Sequence, residues 1–406
     1  MKRKDNNSFL LIFGTWISKF GNIIFDYANN VWLAYNSGFG LTALAFYQSS
    51  EAIVNIMLNV FGGVVSDRKR RKVILFVTDF ISFMSCLITS LFLKSSFGFI
   101  CIMSVNIILA ITTSFSSPAY KAIVKDALDK DRINTYNSTA NAGAEIIKLT
   151  GPMIALLIVN IVGTQGALLI TSISFLVSAV TKLLLFIDEQ KFDTNVEKHN
   201  FFIDVKNGFI YLINEKEIMF IIIVSMFVNF FLSGYNLMLP YTNNILTVMR
   251  PDMYGKLLSA EAFGGIVGSI INSRLYLPDT IRNQFFFLSG CGLSLIFFSV
   301  SIILGFSAYV LLASIFAFGG FLTIYNIQFI SLVQNRVSSD YIGRVFSIIF
   351  TFSILFMPVG SFIFANIFKP KQTISFFVFG LGILILSIIS IFISYMNENT
   401  KIKNEK

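Results

Sequence analysis

The sequence predicts an all-α membrane protein, with twelve transmembrane helices arranged as two six-helix bundles, and three observations lead there. Composition is the first: 55% of the 406 residues are hydrophobic, 13% are charged, and the mean hydropathy of +0.74 is far above what a soluble domain of this length sustains. The second is length. Apolar runs of about 20 residues, enough for a helix to cross roughly 30 Å of hydrocarbon, recur along the whole chain. The third is a polar stretch near 188–216 that divides those runs six and six.

Bounded by charge, Gly or Pro, the spans fall near 9–33, 42–65, 73–93, 97–119, 135–162, 165–187, 217–244, 254–276, 284–304, 307–329, 342–367 and 372–395. Neither the first nor the fourth has the short apolar core and small-residue cleavage site of a removable signal peptide, so the N-terminus is expected to be retained. Orientation follows from the basic residues, because Lys and Arg near span ends favour the cytoplasmic side. About 23 of the 31 Lys and Arg fall in loops or tails on the side of the N-terminus, including Lys2, Arg3, Lys4, the cluster from Arg68 to Lys72, Lys121, Lys125, Lys130 and Arg132. Lys94, Arg250, Lys256, Lys369 and Lys371 lie in the opposite loops. Both termini are therefore expected in the cytoplasm. The weight of Ile, Phe, Asn and Lys suggests an AT-rich bacterial genome, hence a multi-pass protein of a bacterial plasma membrane.

On this topology the net charge of +9 reflects orientation, and no nucleic-acid partner is expected, since the basic loops are not interleaved with exposed aromatics. Cys86, Cys101 and Cys291 lie in spans without the paired spacing of a metal or redox site, and His199, the one histidine, sits in the central loop. Neither a metal, a cofactor nor His-based catalysis is expected. There is no Gly-rich phosphate loop, which removes direct ATP hydrolysis, and the loops are too short for a catalytic domain. An enzyme is not expected.

The bundles are read as 1–187 and 217–406, the second carrying a cytoplasmic tail, with 188–216 as a cytoplasmic linker. Within the linker Phe201, Phe202, Val205, Phe209, Ile210 and Leu212 recur near helical spacing opposite Asp204, Lys206 and Asn207, the pattern of a helix lying on a membrane face. The two halves carry a weak parallel repeat. Ile123-Val124-Lys125-Asp126 through Asp131, Arg132 and Ser138 aligns with Leu332-Val333-Gln334-Asn335 through Asp340, Tyr341 and Ser347; Gly151 then meets Gly360, and Gly63 and Asp67 fall beside Gly268 and Asn272. Such duplication is expected where two bundles flank a central cavity.

Between the second and third spans stand Gly63, Asp67, Arg68, Arg71 and Lys72, with Arg70 where a second Gly would complete a known loop signature. This segment resembles the major facilitator superfamily, and the likeness extends over the whole chain. More narrowly, Ser117-Pro118-Ala119 with Asn137-Ser138, Gly151-Pro152, and Gly343-Arg344-Val345-Phe346-Ser347 with Pro358 and Gly360 resemble the macrolide-efflux and siderophore-exporter branch. The resemblance implies alternating access driven by an ion gradient. It also implies a conformational latch, in which Asp67 faces the start of the eleventh helix, with Gly63, Arg68, Arg71, Lys72 and Arg344 as participants. The competing reading makes Asp67 a helix cap and the basic cluster a positive-inside signal. Gly151, Pro152, Pro358 and Gly360 are read as helix-packing positions. Gly151-Pro152 is similar to the antiporter motif of the fifth helix, although Ile147, Ala155 and Leu156 stand where flanking glycines would be.

Ionisable groups inside spans are expensive, at about 2.5–3.5 kcal/mol near a helix centre on insertion scales, so each is a functional candidate. Asp26 and Glu51 lie about 17 and 14 residues from their cytoplasmic span ends, so they share a depth of roughly 21–26 Å and form the leading proton-coupling pair. They could instead sit solvated at the outer interface. Lys19, two turns before Asp26, is a candidate partner for it, and Lys19, Asn22 and Lys148 are substrate-cavity candidates. Glu145 and Lys148 are three apart and by default form an ion pair, with Glu145 as a proton site in the alternative. Glu261, beside Gly264, Gly265 and Gly268, is the fourth coupling candidate. Asp79 is expected at the interface or paired with the basic loop, and Lys182 is expected to snorkel to the headgroups. Trp16 and Trp32 bracket the first span as packing residues or interface anchors. The 46 Phe would suit a cavity for bulky lipophilic molecules, although most of these rings must face lipid or pack between helices.

The expected function is proton-antiport export of a hydrophobic or amphiphilic small molecule, such as a macrolide or another drug, and so multidrug or antibiotic resistance. The alternatives are export of a siderophore or peptide, a nutrient importer of the same fold and, from another class, a non-transporting receptor. The partners are the cargo, protons or else sodium, and the lipid bilayer, with the protein acting as a monomer.

Overall fold

The structure is a computed structural model. It describes the chain apart from residues 1, 36–39, 69, 129, 188–208, 211, 214, 247–252, 275–279, 338–341, 371 and 405–406. His199 and most of the predicted linker therefore lie outside the described residues. The chain divides into two compact units, Met1–Val196 and Glu197–Lys406.

The first unit is built from α1 (Lys2–Tyr35), α2 (Gly40–Arg68), α3 (Arg71–Phe92), α4 (Gly98–Ala127) and the helical stretch Lys130–Leu183. That stretch breaks at Gly163 (φ 70°, ψ 175°) into α5 (130–162) and α6 (164–183). Its apolar part, Gly143–Leu183, is 41 residues long, about twice what one crossing needs. Gly163 supplies the reversal because its backbone occupies a region open essentially to Gly alone.

The second unit contains α7 (Lys216–Met238), α8 (Met253–Arg274), α9 (Ile281–Ile303), α10 (Ala308–Arg336), α11 (Ile342–Ile367) and α12 (Ile374–Asn404). The seventh span was expected as one piece to residue 244. Its helix ends instead at Met238, and a 3₁₀ turn, Leu239–Tyr241, and the single turn Thr242–Ile245 follow. Pro240 lacks the backbone N–H that would continue the ladder. Eight segments among the described residues are long and apolar enough to cross a membrane by composition. Helices α2 and α8 carry Glu51 and Glu261.

Helices in lipid associate by close packing and hydrogen bonding, because the tails are as apolar as the side chains. In the first unit Gly14 and Gly21, on one face of α1, lie against Thr181 and Ser174 of α6. There the Ser178 hydroxyl donates to the Gly14 carbonyl at 2.8 Å and Thr171 to that of Gly21 at 3.2 Å. On the other side α1 meets α5, where Gly143 accommodates the Trp16 ring and Trp16 Nε1 donates to the Ala140 carbonyl at 3.2 Å. In the second unit Gly264 and Gly268 bring α8 onto the backbone of α10 at Phe316 and Gly320. Aromatic rings fill the space between α7, α9, α11 and α12: Phe364 lies 4.8 Å, centroid to centroid, from both Phe230 and Phe379, and Phe298 lies 5.1 Å from Phe376.

The two units tie the start of their first helix to the end of their fourth in comparable ways. Asn7 donates to the carbonyls of Ala127 (3.2 Å) and Phe186 (2.7 Å) and accepts from the Phe186 N–H (2.9 Å). In the second unit Glu217 at the start of α7 forms an ion pair with Arg336 at the end of α10. In the repeat alignment Arg336 falls on Ala127.

Candidate functional site

The first unit encloses a cavity of about 500 Å³ near the end where α1 and α3 begin and α4 and α6 finish. That volume suits a small organic molecule. Its charged and phenolic lining comprises Lys19 of α1, Asp79 of α3, Tyr120 and Lys121 of α4, Tyr136 of α5 and Lys182 of α6. Lys182 and Asp79 form a buried ion pair, and Lys182 Nζ also donates to Ser178 Oγ at 2.7 Å. The hydroxyls of Tyr120 and Tyr136 share a hydrogen bond. Lys19 and Lys121 are exposed and have no acidic partner among the described residues. Three lysines thus face one aspartate, and the cavity wall is electropositive with several hydroxyl donors.

This pairing corrects two expectations. Asp79 is paired with Lys182 and not with the basic loop, and Lys182 turns inward to it and does not snorkel, because α3 and α6 are neighbours whose opposite charges meet. Sequence reasoning missed this pair as a site. The available signal was an intramembrane acid and base that each need a partner. Their separation of 103 residues hides which partner it is.

Lys19 lines this cavity and makes no ion pair with Asp26. Asn22 is half-buried on the next turn of α1. Asp26 and Glu51 both keep water-accessible surface, on α1 and α2, and lie within Coulombic range of one another. Glu145 and Lys148 are both exposed and no ion pair joins them, so the default pairing is corrected: three-residue spacing permits contact without requiring it. In the second unit Tyr235, 1% exposed, donates its hydroxyl to Glu261 Oε2 at 2.7 Å, which gives this half-buried carboxylate a fixed neutral donor on α7.

Of the latch residues, Gly63, Asp67 and Arg68 lie on α2 and Arg344 on α11, with their side chains outside the described residues. Arg71 is half-buried, and Lys72 Nζ donates to the Leu185 carbonyl at 2.8 Å, holding the start of α3 to the segment after α6. Gly151 packs on Ile23 of α1, and Gly360 packs on Ser233 and Phe230 of α7, with Pro152 and Pro358 buried nearby in α5 and α11. Cys86 and Cys291 are buried free thiols, and Cys101 is partly buried.

Residues 6–405 match the family described as transmembrane secretion effectors, of the major facilitator type. The chain belongs to this family. It is a membrane transporter, and not an enzyme. The staphyloferrin A transporter of Staphylococcus aureus is 23% identical over 412 residues, spanning 99% of this chain and 97% of that protein. Among solved structures, the transporter's fold is similar to that of the nucleoside transporter NupG (TM-score 0.76, 13% identity, 95% of this chain and 98% of that one). It is also similar to a bacterial homologue of the iron transporter ferroportin in an inward-facing state (TM-score 0.75, 14% identity, 96% and 98%). These likenesses establish the major facilitator fold.

Proposed function

We propose that this transporter exports a small polar molecule bearing several carboxylates, of the siderophore class, across a bacterial plasma membrane, driven by an ion gradient. The carrying observation is the lysine-rich cavity. Lys19 and Lys121 present ammonium groups without acidic partners among the described residues, and a multiply anionic cargo would neutralise them. With both termini cytoplasmic, as the distribution of basic residues suggests, the cavity opens near the cytoplasmic ends of its helices, where an exported molecule must load. The family description as a secretion effector and the relative named as a staphyloferrin A transporter support the same direction and cargo class.

The macrolide reading rested on the motifs around Ser117-Pro118-Ala119, Gly151-Pro152 and Gly343–Ser347, which resemble a branch that includes siderophore exporters as well, and the phenylalanine content was only a secondary argument for it. Many of those rings pack against one another between helices of the second unit, as Phe230, Phe364 and Phe379 do, so the count argues little for a lipophilic site. For coupling, Asp26 with Glu51, and separately Glu261 with its Tyr235 donor, are the proposed proton carriers; Asp67 and Arg344 remain the proposed latch.

The test is accumulation of a labelled polycarboxylate siderophore, a macrolide and a cationic dye in cells with and without the protein, before and after a protonophore. Lower siderophore accumulation that the protonophore reverses is the expected result. Reversal confined to the macrolide or the dye would replace the anionic cargo with a lipophilic one.

A further inference from the structure

We propose that Asp79 is a built-in stand-in for a cargo carboxylate, occupying Lys182 until an anionic cargo displaces it. The inference rests on the anionic-cargo reading above and adds how the cavity recognises its cargo.

Lys182 is held on two sides. Ser178, four residues earlier on α6, accepts from its ammonium at 2.7 Å while donating its own proton to the Gly14 carbonyl at 2.8 Å, so both capacities of the hydroxyl are used and the ammonium is fixed from behind. Asp79 approaches from α3 and supplies the only carboxylate among the described residues lining the cavity. An ammonium has three donors, and a carboxylate oxygen of a cargo satisfies one as well as Asp79 does.

The location favours exchange over a purely structural staple. A buried ion pair roughly breaks even against its desolvation, whereas removing one partner is strongly unfavourable. Exchanging one carboxylate for another keeps Lys182 paired, while the cost of the displaced Asp79 charge must be met by the cargo's attraction to Lys19 and Lys121, which have no acidic partner among the described residues; that condition selects a cargo with several carboxylates. A neutral molecule can offer Lys182 an acceptor but no compensating charge, and a cationic one is repelled, so both leave the pair closed. Displacement also unties α3 from α6 at Asp79 while Lys72 still holds the start of α3 to Leu185, so loading loosens one contact and preserves the other.

The test uses the full chain in lipid nanodiscs with tricarballylate, a simple tricarboxylate, as probe and its trimethyl ester as the neutral control. Trp16 is the reporter, because it follows Thr15 on α1 and bonds to Ala140, both of which line the cavity. A Trp32→Phe background makes it the sole tryptophan. Asp79→Asn frees the ammonium, so tricarballylate should bind roughly tenfold tighter or better than to the parent, while the ester binds neither. Equal or weaker binding by a folded Asp79→Asn protein, with the parent also binding, overturns the stand-in and leaves the anionic cargo standing. Absence of binding to both proteins overturns the two together. Should Asp79→Asn fail to fold, the double change Asp79→Asn with Lys182→Met removes both charges and strands neither. Loss of tricarballylate binding in that folded protein upholds the proposal, and retention on Lys19 and Lys121 alone refutes it.

Discussion

Gly264 offers the most direct test of how the second unit is held together. A Cβ built there would strike the carbonyl oxygen of Phe316 and lie 2.7 Å from its carbonyl carbon and 3.0 Å from its Cα. These are backbone atoms, so no rotamer change relieves the contact, and Gly264→Ala must push α10 away from α8 by about 1.5 Å to restore ordinary van der Waals separation. That retreat also weakens the neighbouring contact of Gly268 with Gly320. Overpacking of this kind costs about 1–3 kcal/mol. An opening equilibrium shifted by that amount rises roughly five- to 150-fold. Cys86 and Cys291, each 0% exposed in its own unit, supply the readout through labelling by a fluorogenic maleimide. In a Cys86→Ser, Cys101→Ser background, Cys291 should label faster by that factor in Gly264→Ala. In a Cys101→Ser, Cys291→Ser background, Cys86 should change by less than about threefold. Ile270→Ala, on the same helix but at a side chain 50% exposed, serves as the control and should leave both rates near the parent. Unchanged labelling of Cys291 in Gly264→Ala would refute the close α8–α10 contact.

Asn7→Ala removes three hydrogen bonds at a fully buried junction and should destabilise the first unit by about 2–3 kcal/mol, seen as faster Cys86 labelling; a rate equal to the parent's would deny the clamp its role. Gly163→Ala forces a side chain into a backbone region that costs of order 1–3 kcal/mol, so the α5–α6 break should rearrange, with an engineered Thr164→Cys reporting altered thiol accessibility. Glu261→Gln keeps an acceptor for the Tyr235 hydroxyl and should fold normally, retain tricarballylate binding and lose gradient-driven export. Export at the parent rate would remove Glu261 from coupling. Asp67→Asn should leave expression and cargo binding intact but slow turnover, and parent-like turnover would reduce Asp67 to a helix cap.

Much of the fold was legible in the sequence because hydropathy accumulates residue by residue. The predicted span at 73–93 meets α3 at Arg71–Phe92, and that at 284–304 meets α9 at Ile281–Ile303. The fifth and sixth spans were also separated correctly, although a single residue, Gly163, parts their helices. The seventh overran, because apolar Leu239, Pro240 and Tyr241 read as span while the missing N–H of Pro240 ends the regular helix.

The site was less legible. Asp26, Glu51 and Glu261 stood out as costly charges within apolar runs, and spacing alone placed Asp26 and Glu51 at a common depth. Which charge meets which was a different matter. Glu145 and Lys148, neighbours in sequence, form no pair, whereas Asp79 and Lys182 meet across 103 residues, as do Tyr235 and Glu261 across 26. The sequence by itself determined the solvent and the number of crossings, since both follow from hydropathy summed along the chain, and it carried the repeat of two halves in matching residues such as Gly151 and Gly360. The tertiary structure alone decided the charged pairs and the lysine-lined cavity, because these depend on which helices are neighbours and how each is rotated about its axis.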